Sequence, residues 1–353
     1  MSADPAATTP RRPDAGPASP SGRTRPRRPG SARGWASWLA RRIGLAILTL
    51  FVVSVLIFFA TVALGDPVRA ILGRDYVNSP ERVATLRAEL GLDRPPVQRY
   101  LDWLGGLFTG DLGTSLANRT PVADLIAQPV INSAVLVLIA TLVIIPLSFG
   151  LALWSASARG KRADHIIQTV LLALAGLPEF VIGIVLVAVF STTVFFVLPA
   201  VTISPGGDAP WLQPASMVLP VLTLVLTVAP YVSRIVRATL VEVLDSDYVA
   251  LARLKGVPES VVVRRHALRN ALVPGVQVTA LQLAWLAGGI VIVEYLFSYP
   301  GIGAQLVSAV NNNDVPVVLA LAMIIAAVYV VVNLIADIAS ILLTPRARTA
   351  IAG

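Results

Sequence analysis

Three acidic residues interrupt long apolar stretches of this chain, and a charge in such a setting usually marks a functional position. They are, in chain order, Glu179, Glu294 and Asp337. Glu179 follows Pro178, and a proline within a helix frees a carbonyl group and opens space for water. We therefore expect Glu179 to line a water-filled pathway through the protein.

The other two acidic residues are interpreted as structural. Glu294 is expected to cap or orient the turn that follows at Tyr299-Pro300-Gly301. Asp337 is expected to pair with a donor such as Asn333 on the preceding turn or with a residue of another span. A proton relay is not expected, because the sequence places no histidine or second carboxylate within helical reach of either residue.

A polar insert at 245–274 separates the apolar runs 217–231 and 275–297. Four of its residues fall at helical spacing and share one face: Tyr248, Leu251, Ala252 and Lys255. Gly256 then ends the helix, and Pro258 begins another with Glu259 in its first turn, where the helix dipole favours an anion. The pattern predicts a helix, a tight turn and a second helix lying along the membrane.

Two uses of the insert remain open on physical grounds. The small residues Ala250, Ala252 and Gly256 would let the backbone of a partner approach closely. Alternatively, the two helices form an interfacial amphipathic pair packed on their own bundle, with basic residues on lipid phosphates. Those basic residues are Arg264, Arg265 and Arg269.

Several kinds of chemistry find no support in the sequence. The chain has no cysteine, and its two histidines, His165 and His266, are far apart, so a metal site is improbable. A phosphate-binding P-loop needs G-x-x-x-x-G-K-[ST]. Neither Lys161, which precedes Arg162, nor Lys255 fits that pattern. No cofactor is therefore expected in this chain, and it cannot hydrolyse ATP by that route.

Composition indicates a membrane protein. Of 353 residues, 56% are hydrophobic and 14% charged, whereas soluble domains contain about 25% charged residues. Nine of the 28 basic residues precede residue 43. Most lie in a Pro/Ala/Ser/Arg-rich tail, 1–34, that we predict to be disordered and attracted to anionic lipid headgroups rather than to nucleic acid. The first apolar run is too long for a cleaved signal peptide.

Six runs are long enough, at roughly 20 residues, to cross the membrane as helices. They are 43–64, 131–154, 167–190, 215–236, 274–297 and 316–343. Lysine and arginine are abundant in the N-terminal tail, the loop 155–166 and the segment 237–273, and absent from the loops 191–214 and 298–315. The positive-inside rule therefore places both termini and the segment 237–273 in the cytoplasm.

The chain divides accordingly. The basic tail is followed by the first span with an extracytoplasmic loop, 35–130, then by the main helical domain, 131–344, and a cytoplasmic tail, 345–353.

Short motifs along most of the chain resemble those of ABC-transporter permeases, in particular the dipeptide/oligopeptide/nickel branch. The insert is similar to the EAA loop of that family. The matching segments are Asp247-Tyr248-Val249, Ala252-Arg253-Leu254-Lys255-Gly256, His266-Ala267-Leu268-Arg269-Asn270-Ala271-Leu272-Val273-Pro274, Gly65-Asp66-Pro67-Val68, Leu90-Gly91-Leu92-Asp93-Arg94-Pro95, Gly110-Asp111-Leu112-Gly113-Thr114-Ser115, Glu294-Tyr295-Leu296-Phe297-Ser298-Tyr299-Pro300-Gly301-Ile302-Gly303 and Asn333-Leu334 through Asp337. The chain departs from the family pattern at Leu254, at Asn313-Asp314-Val315-Pro316 and at Thr344-Pro345-Arg346.

This resemblance implies an all-α polytopic protein with the type I ABC importer permease fold, in which 131–344 is the permease domain. It implies that the first insert helix is a coupling helix seated on an ATPase subunit. The residues expected to make that contact are Tyr248, Leu251, Ala252, Arg253, Lys255, Gly256, Pro258 and Glu259.

The implied partners are a second related permease, two ABC ATPase subunits that bind ATP and Mg, an extracytoplasmic substrate-binding protein docking partly on 65–130, and membrane lipids. Nucleic acid is not among them.

The expected function is ATP-driven import of peptides or a related small solute across the bacterial cytoplasmic membrane by alternating access. An ion-gradient-driven secondary transporter is the main alternative; it predicts internal repeats and ionisable residues at the midplane. A membrane enzyme is a weaker one, because no nucleophile–base set is visible. The prolines Pro146, Pro178, Pro220 and Pro230 are interpreted either as tolerated residues or as bending points.

Overall fold

The computed structural model describes residues 32–63, 67–73, 75–203 and 209–343. Within these ranges the chain is helical and forms no β-strand, and an isolated antiparallel bridge joins Thr114 to Pro121. The helices are α1 (Ala32–Ala63), α2 (Pro67–Leu72), α3 (Asp75–Asn78), α4 (Pro80–Glu89), α5 (Pro96–Thr109), α6 (Val122–Ser157), α7 (Arg162–Ala175), α8 (Glu179–Val187), α9 (Pro214–Leu244), α10 (Asp247–Leu254), α11 (Glu259–Val261), α12 (Leu268–Leu296), α13 (Ile302–Asn311) and α14 (Val315–Leu343). Two π-helical turns, Ala188–Thr193 and Val262–Ala267, follow α8 and precede α12.

Four of these helices, α1, α6, α9 and α14, are long and apolar enough to cross a membrane. The third and fifth expected spans are bent. The axes of α7 and α8 differ by 104°, and α12 bends by 54° between Leu286 and Gly288. By length and composition the described part of the chain therefore has four spans, or six if each bent pair counts as one.

Helix boundaries differ from the expected ones mainly by extension. The second span begins at Val122 and the fourth continues to Leu244, because polar helix-forming residues carry each helix beyond its apolar stretch. α1 begins at Ala32, so the last three residues of the expected disordered tail are helical. The rest of that tail and the C-terminal tail lie outside the described residues.

The four prolines differ in their effect on the backbone. Pro146, Pro220 and Pro230 lie inside continuous helices, as membrane helices allow. Pro178 stands in extended conformation between α7 and α8, as the N-cap of α8. The large bend in the third span is therefore at Pro178, directly before Glu179.

α9 is the central helix and contacts α6, α7, α8 and α12. A stripe with a period of four residues, Val228, Val232, Val236 and Leu240, is fully buried along it. Lipid tails are as apolar as these side chains, so close packing rather than escape from water holds the helices together. α1 lies at the periphery, against α14 and α5.

Glu294 is fully buried and organises the turn after α12. Its Oε1 accepts a hydrogen bond from the Ser133 hydroxyl at 2.5 Å, and its Oε2 accepts one from the backbone N–H of Gly303 at 2.6 Å. The Tyr299 hydroxyl donates to the carbonyl of Asn132 on α6 at 2.8 Å. The expected role of Glu294 in orienting this turn is confirmed.

Two other buried or half-buried carboxylates join distant parts of the chain. Asp337 forms an ion pair with Arg42 of α1, so its partner comes from another span. Asp314, 2% exposed, accepts hydrogen bonds from the Ser115 hydroxyl and from the N–H of Leu116 at 3.0 Å. This contact ties the segment before α6 to the start of α14.

The Gly303→Ala substitution is expected to reduce the free energy of unfolding by on the order of 1–3 kcal/mol. A Cβ at this position would lie 2.3 Å from the Cα of Val291 and 2.9 Å from Glu294 Oε2, and a backbone atom cannot rotate away. Thermal unfolding of the purified protein in detergent measures the effect. Gly150→Ala in α6 is the control, since no described atom lies within 4 Å of its new Cβ. Equal midpoints for the two variants would contradict this packing.

Candidate functional site

The insert between α9 and α12 folds as a helix, a tight turn and a second helical segment. α10 ends at Leu254, and Gly256 has a φ of +79°, a conformation that glycine adopts without steric cost. The N–H of Val257 closes the turn by donating to the carbonyl of Ala252 at 3.2 Å. Pro258 is the N-cap of α11, which continues through the π-helical turn into α12. The second segment is thus joined to the fifth span.

Arg253 holds the turn together from inside. Its Nε and Nη2 donate to the two carboxylate oxygens of Glu259 at 3.0 and 2.6 Å, and its Nη1 donates to the carbonyl of Leu244 at 3.1 Å. The hydrogen bonds from Arg253 lower the pKa of the Glu259 carboxyl below its ordinary value, and Glu259 raises the pKa of Arg253. One side chain therefore joins the ends of α9, α10 and the start of α11.

α10 packs on the bundle through one edge and exposes the rest. Val249 is fully buried and Ala252 half-buried against the core. Ala252 therefore lies on the packing edge, apart from the other three residues expected to share its face. Tyr248 is half-exposed, and its hydroxyl accepts a hydrogen bond from Asn270 of α12 at 2.5 Å. This bond is a second link between α10 and the fifth span.

The exposed part of α10 is apolar at three positions. Tyr248 is 44% exposed, Leu251 52% and Leu254 85%. Lys255, Gly256, Pro258 and Glu259 are exposed beside them. We refer to Tyr248, Leu251 and Leu254 as the apolar face of α10. In the sequence, Leu254 was identified only as a departure from a family motif. A leucine at the end of a helix in a polar segment could also have indicated an exposed apolar residue.

A cavity of about 570 Å³ adjoins the insert. The ends of α6 and α9 and the turn of the insert line it, with the Arg253–Glu259 pair on one side and an ion pair between Arg159 and Asp245 on the other. The Arg159–Asp245 pair spans 2.6 Å and is exposed. The recess is lined by both polar and apolar side chains, and Arg253 of α10 is among them.

A buried ionic cluster stiffens the bundle at the same end. Asp164, almost completely buried, accepts hydrogen bonds from Nε and Nη2 of Arg237 at 2.9 and 2.6 Å and from the Ser155 hydroxyl at 2.5 Å. Gln168 donates to the Ser155 hydroxyl at 2.9 Å. These contacts join α6, α7 and α9, so a force on the insert meets a rigid group of helices.

Glu179 belongs to a different part of the molecule. It is the first residue of α8, directly after the 104° break, and its half-buried side chain lies beside Gly289 of α12. The structure therefore brings the insert residues together and keeps Glu179 apart from them. Among the residues that the structure describes, no group of three or more histidines and carboxylates is placed to hold a metal ion.

Comparison with known proteins assigns the family. Residues 145–349 match the family described as binding-protein-dependent transport system inner membrane component, and residues 36–136 match the N-terminal family of the same transport systems. The glutathione transport system permease protein GsiC of Escherichia coli K12 is 36% identical over 313 residues, covering 88% of this chain and 98% of that protein. GsiC of Salmonella choleraesuis strain SC-B67 gives the same identity and coverage.

The family and these relatives are transport permeases rather than enzymes. Family members are inner-membrane components of ABC transporters, which implies ATPase and substrate-binding partners, and the apolar helices suit a multi-pass membrane protein. This chain belongs to the binding-protein-dependent transport system inner membrane component family and is the permease subunit of an ABC importer.

Proposed function

We propose that this permease imports peptides, or a related small solute, by alternating access. The similarity to glutathione permeases over most of both chains supports a peptide cargo, since glutathione is itself a short peptide. A second related permease would complete the pathway, and a substrate-binding protein would dock partly on residues 65–130. ATP and Mg would be bound by two ATPase subunits, and this chain would carry no cofactor of its own.

The main support for the proposal is the position of α10, which is exposed on one side and held to α9 and α12 by hydrogen bonds. Apolar side chains on the surface of a polar segment mark an interaction site when they are contiguous. The apolar face of α10 meets this condition, and Arg253 and Asn270 fix the helix to α9 and α12. A coupling surface needs both properties, because it must bind a partner and pass on that partner's displacement.

The bends supply a means of switching. A push on α10 would reach α12 through the π-helical turn and α9 through the Arg253 bond to Leu244. Both helices contact α8, which begins at the Pro178 break. Movement of α8 and α12 about their bends would open one side of the pathway while closing the other.

The proposal places the insert and both termini in the cytosol, with the loop that contains Leu212 outside. The chain has no cysteine, so single-cysteine variants test this directly. In intact cells, a membrane-impermeant maleimide should label Leu212→Cys and not Leu254→Cys, both side chains being well exposed. In cells that lack the ATPase subunits, Leu254→Cys should react after the membrane is permeabilised. Labelling of Leu254→Cys in intact cells would reject the orientation.

Leu254→Asp is expected to reduce recovery of the ATPase subunits with the tagged permease, and substrate-driven uptake, by about tenfold or more. A charge on the apolar face would have to be desolvated in the interface. Leu212→Asp is the matched control, because Leu212 is similarly exposed and lies outside the insert. If both variants retained the ATPase equally, the apolar face would not be the coupling surface.

Glu259→Gln is expected to change bundle stability by less than about 1 kcal/mol, since the Arg253–Glu259 pair is exposed to solvent. Uptake should fall more strongly, because Arg253 would lose the partner that orients the turn.

The pH dependence follows from the lowered pKa of Glu259. The stabilisation by the ion pair is complete above the ordinary pKa of a glutamate and is lost as pH falls through the lowered value. The defect of Glu259→Gln relative to wild type should thus be constant between about pH 6 and pH 8, as proteoliposome uptake would show. A defect that grows with rising pH in that interval would contradict this role.

A further inference from the structure

The two bent helices meet at Glu179. This residue begins α8 immediately after the 104° break, and Gly289 follows the 54° bend of α12. A point at the Cβ position of Gly289 lies 3.8 Å from Glu179 Oε1 and 3.3 Å from Cζ3 of Trp285. The carboxylate and the indole ring therefore adjoin the same small space above a residue that has no side chain.

In the described part of the chain, the negative charge of Glu179 has no side-chain partner and is offset only by the N-terminal dipole of its own helix, α8. No hydrogen bond or ion pair there involves its carboxylate, whereas the buried carboxylates Glu294, Asp164 and Asp314 are all bonded. Glu179 is also the one ionisable residue between positions 166 and 203. A charge in an apolar segment without a partner calls for water or a cation at that place.

The surroundings of Glu179 are open to an occupant. Trp285 is 44% exposed, and Leu281, Gly288 and Ile292 continue the exposed stripe along α12. These four positions share one side of the helix, as their spacing of three or four residues requires. The stripe is therefore left uncovered by the rest of the described chain.

A carboxylate beside an indole is suited to an ammonium group. The carboxylate accepts charge-assisted hydrogen bonds from the ammonium, and the indole face attracts a cation through its quadrupole. A lone carboxylate is a poor metal site, because Ca²⁺ and Mg²⁺ require several oxygen ligands. Gly289 lets the backbone of α12 lie close to both the carboxylate and the indole, because even a Cβ at this position would lie only 3.3 Å from Cζ3 of Trp285.

We propose that Glu179 and Trp285 form a selectivity site for the primary ammonium group of the cargo, so that a cargo with a free amine passes better than the same cargo with the amine capped. The inference rests on the proposed import of peptides and adds the chemical group that the permease itself selects. Under this inference, the permease selects cargo by its amine in the pathway, in addition to any selection of cargo by the binding protein.

The test uses the complete transporter in proteoliposomes, with its ATPase subunits and saturating binding protein. Uptake of labelled Ala-Ala-Ala is compared with uptake of N-acetyl-Ala-Ala-Ala, after the affinity of the binding protein for each has been measured. The variants are Glu179→Gln, Glu179→Asp, Trp285→Phe and Trp285→Leu. Glu242→Gln, an exposed carboxylate near the end of α9, is the matched control.

Glu179→Gln should lower uptake of the free peptide about tenfold and leave uptake of the acetylated peptide unchanged, as expected for the loss of a hydrogen bond to a charged group. Glu179→Asp and Trp285→Phe should retain most of the preference, Trp285→Leu should lose part of it, and Glu242→Gln should retain all of it. ATP hydrolysis without cargo should be the same in every variant, which shows that each complex has assembled.

Equal loss of both peptides in Glu179→Gln would overturn the inference, because it would show that the carboxylate serves the structure or pairs with a basic residue of the second permease. An unchanged preference would overturn it as well. If the wild-type transporter takes up neither peptide, the proposal of peptide import fails, and this inference fails with it. A failure of peptide import would show in the wild-type transporter itself. A failure of this inference alone would show only when Glu179→Gln is compared with a wild-type transporter that is active.

Discussion

A polar group inside an apolar helix bundle must find a partner, and this requirement accounts for much of the structure. Glu294 holds the turn after α12 against α6, and Asp164 joins α6, α7 and α9 through Arg237. Asp314 fixes the segment before α6 to α14. Apolar packing alone would allow these helices to slide over one another, because Val and Leu surfaces fit together in several registers. The bonded carboxylates select one arrangement at each end of the bundle, and Glu179 stands out as the exception.

The same requirement explains why the insert can be both exposed and rigid. Its first helix, α10, turns few side chains towards the bundle, namely Val249 and part of Ala252. Its position is fixed instead by directional bonds from Arg253 and Asn270 to neighbouring elements. The apolar face is thereby left available for a partner without loss of order.

The helices, their approximate number and the turn at Gly256 could be predicted from the sequence, because they depend on local patterns of hydropathy and turn residues. The role of Glu294 was predictable for the same reason, since the turn that it orients follows within a few residues. The bend angles were not predictable. Pro178 breaks its helix whereas Pro146, Pro220 and Pro230 do not, and Gly176, the C-cap of α7 two residues before Pro178, is a local signal for that break. The internal pairing of Arg253 with Glu259 was also missed, because both side chains were assigned to a partner protein. The meeting of Glu179 with Trp285, more than one hundred residues apart, has no local signal at all.

The π-helical turn Val262–Ala267 gives the fifth span an adjustable joint. A π-helical turn contains one more residue than an α-helical turn, so the residues after it are offset by one position relative to a regular α-helix. Conversion of this π-helical turn to an α-helical turn would rotate the residues beyond it by about 100° relative to α10. A screw-like motion of α12 could thus redirect the indole of Trp285, and it would break the hydrogen bond from Asn270 of α12 to Tyr248 of α10.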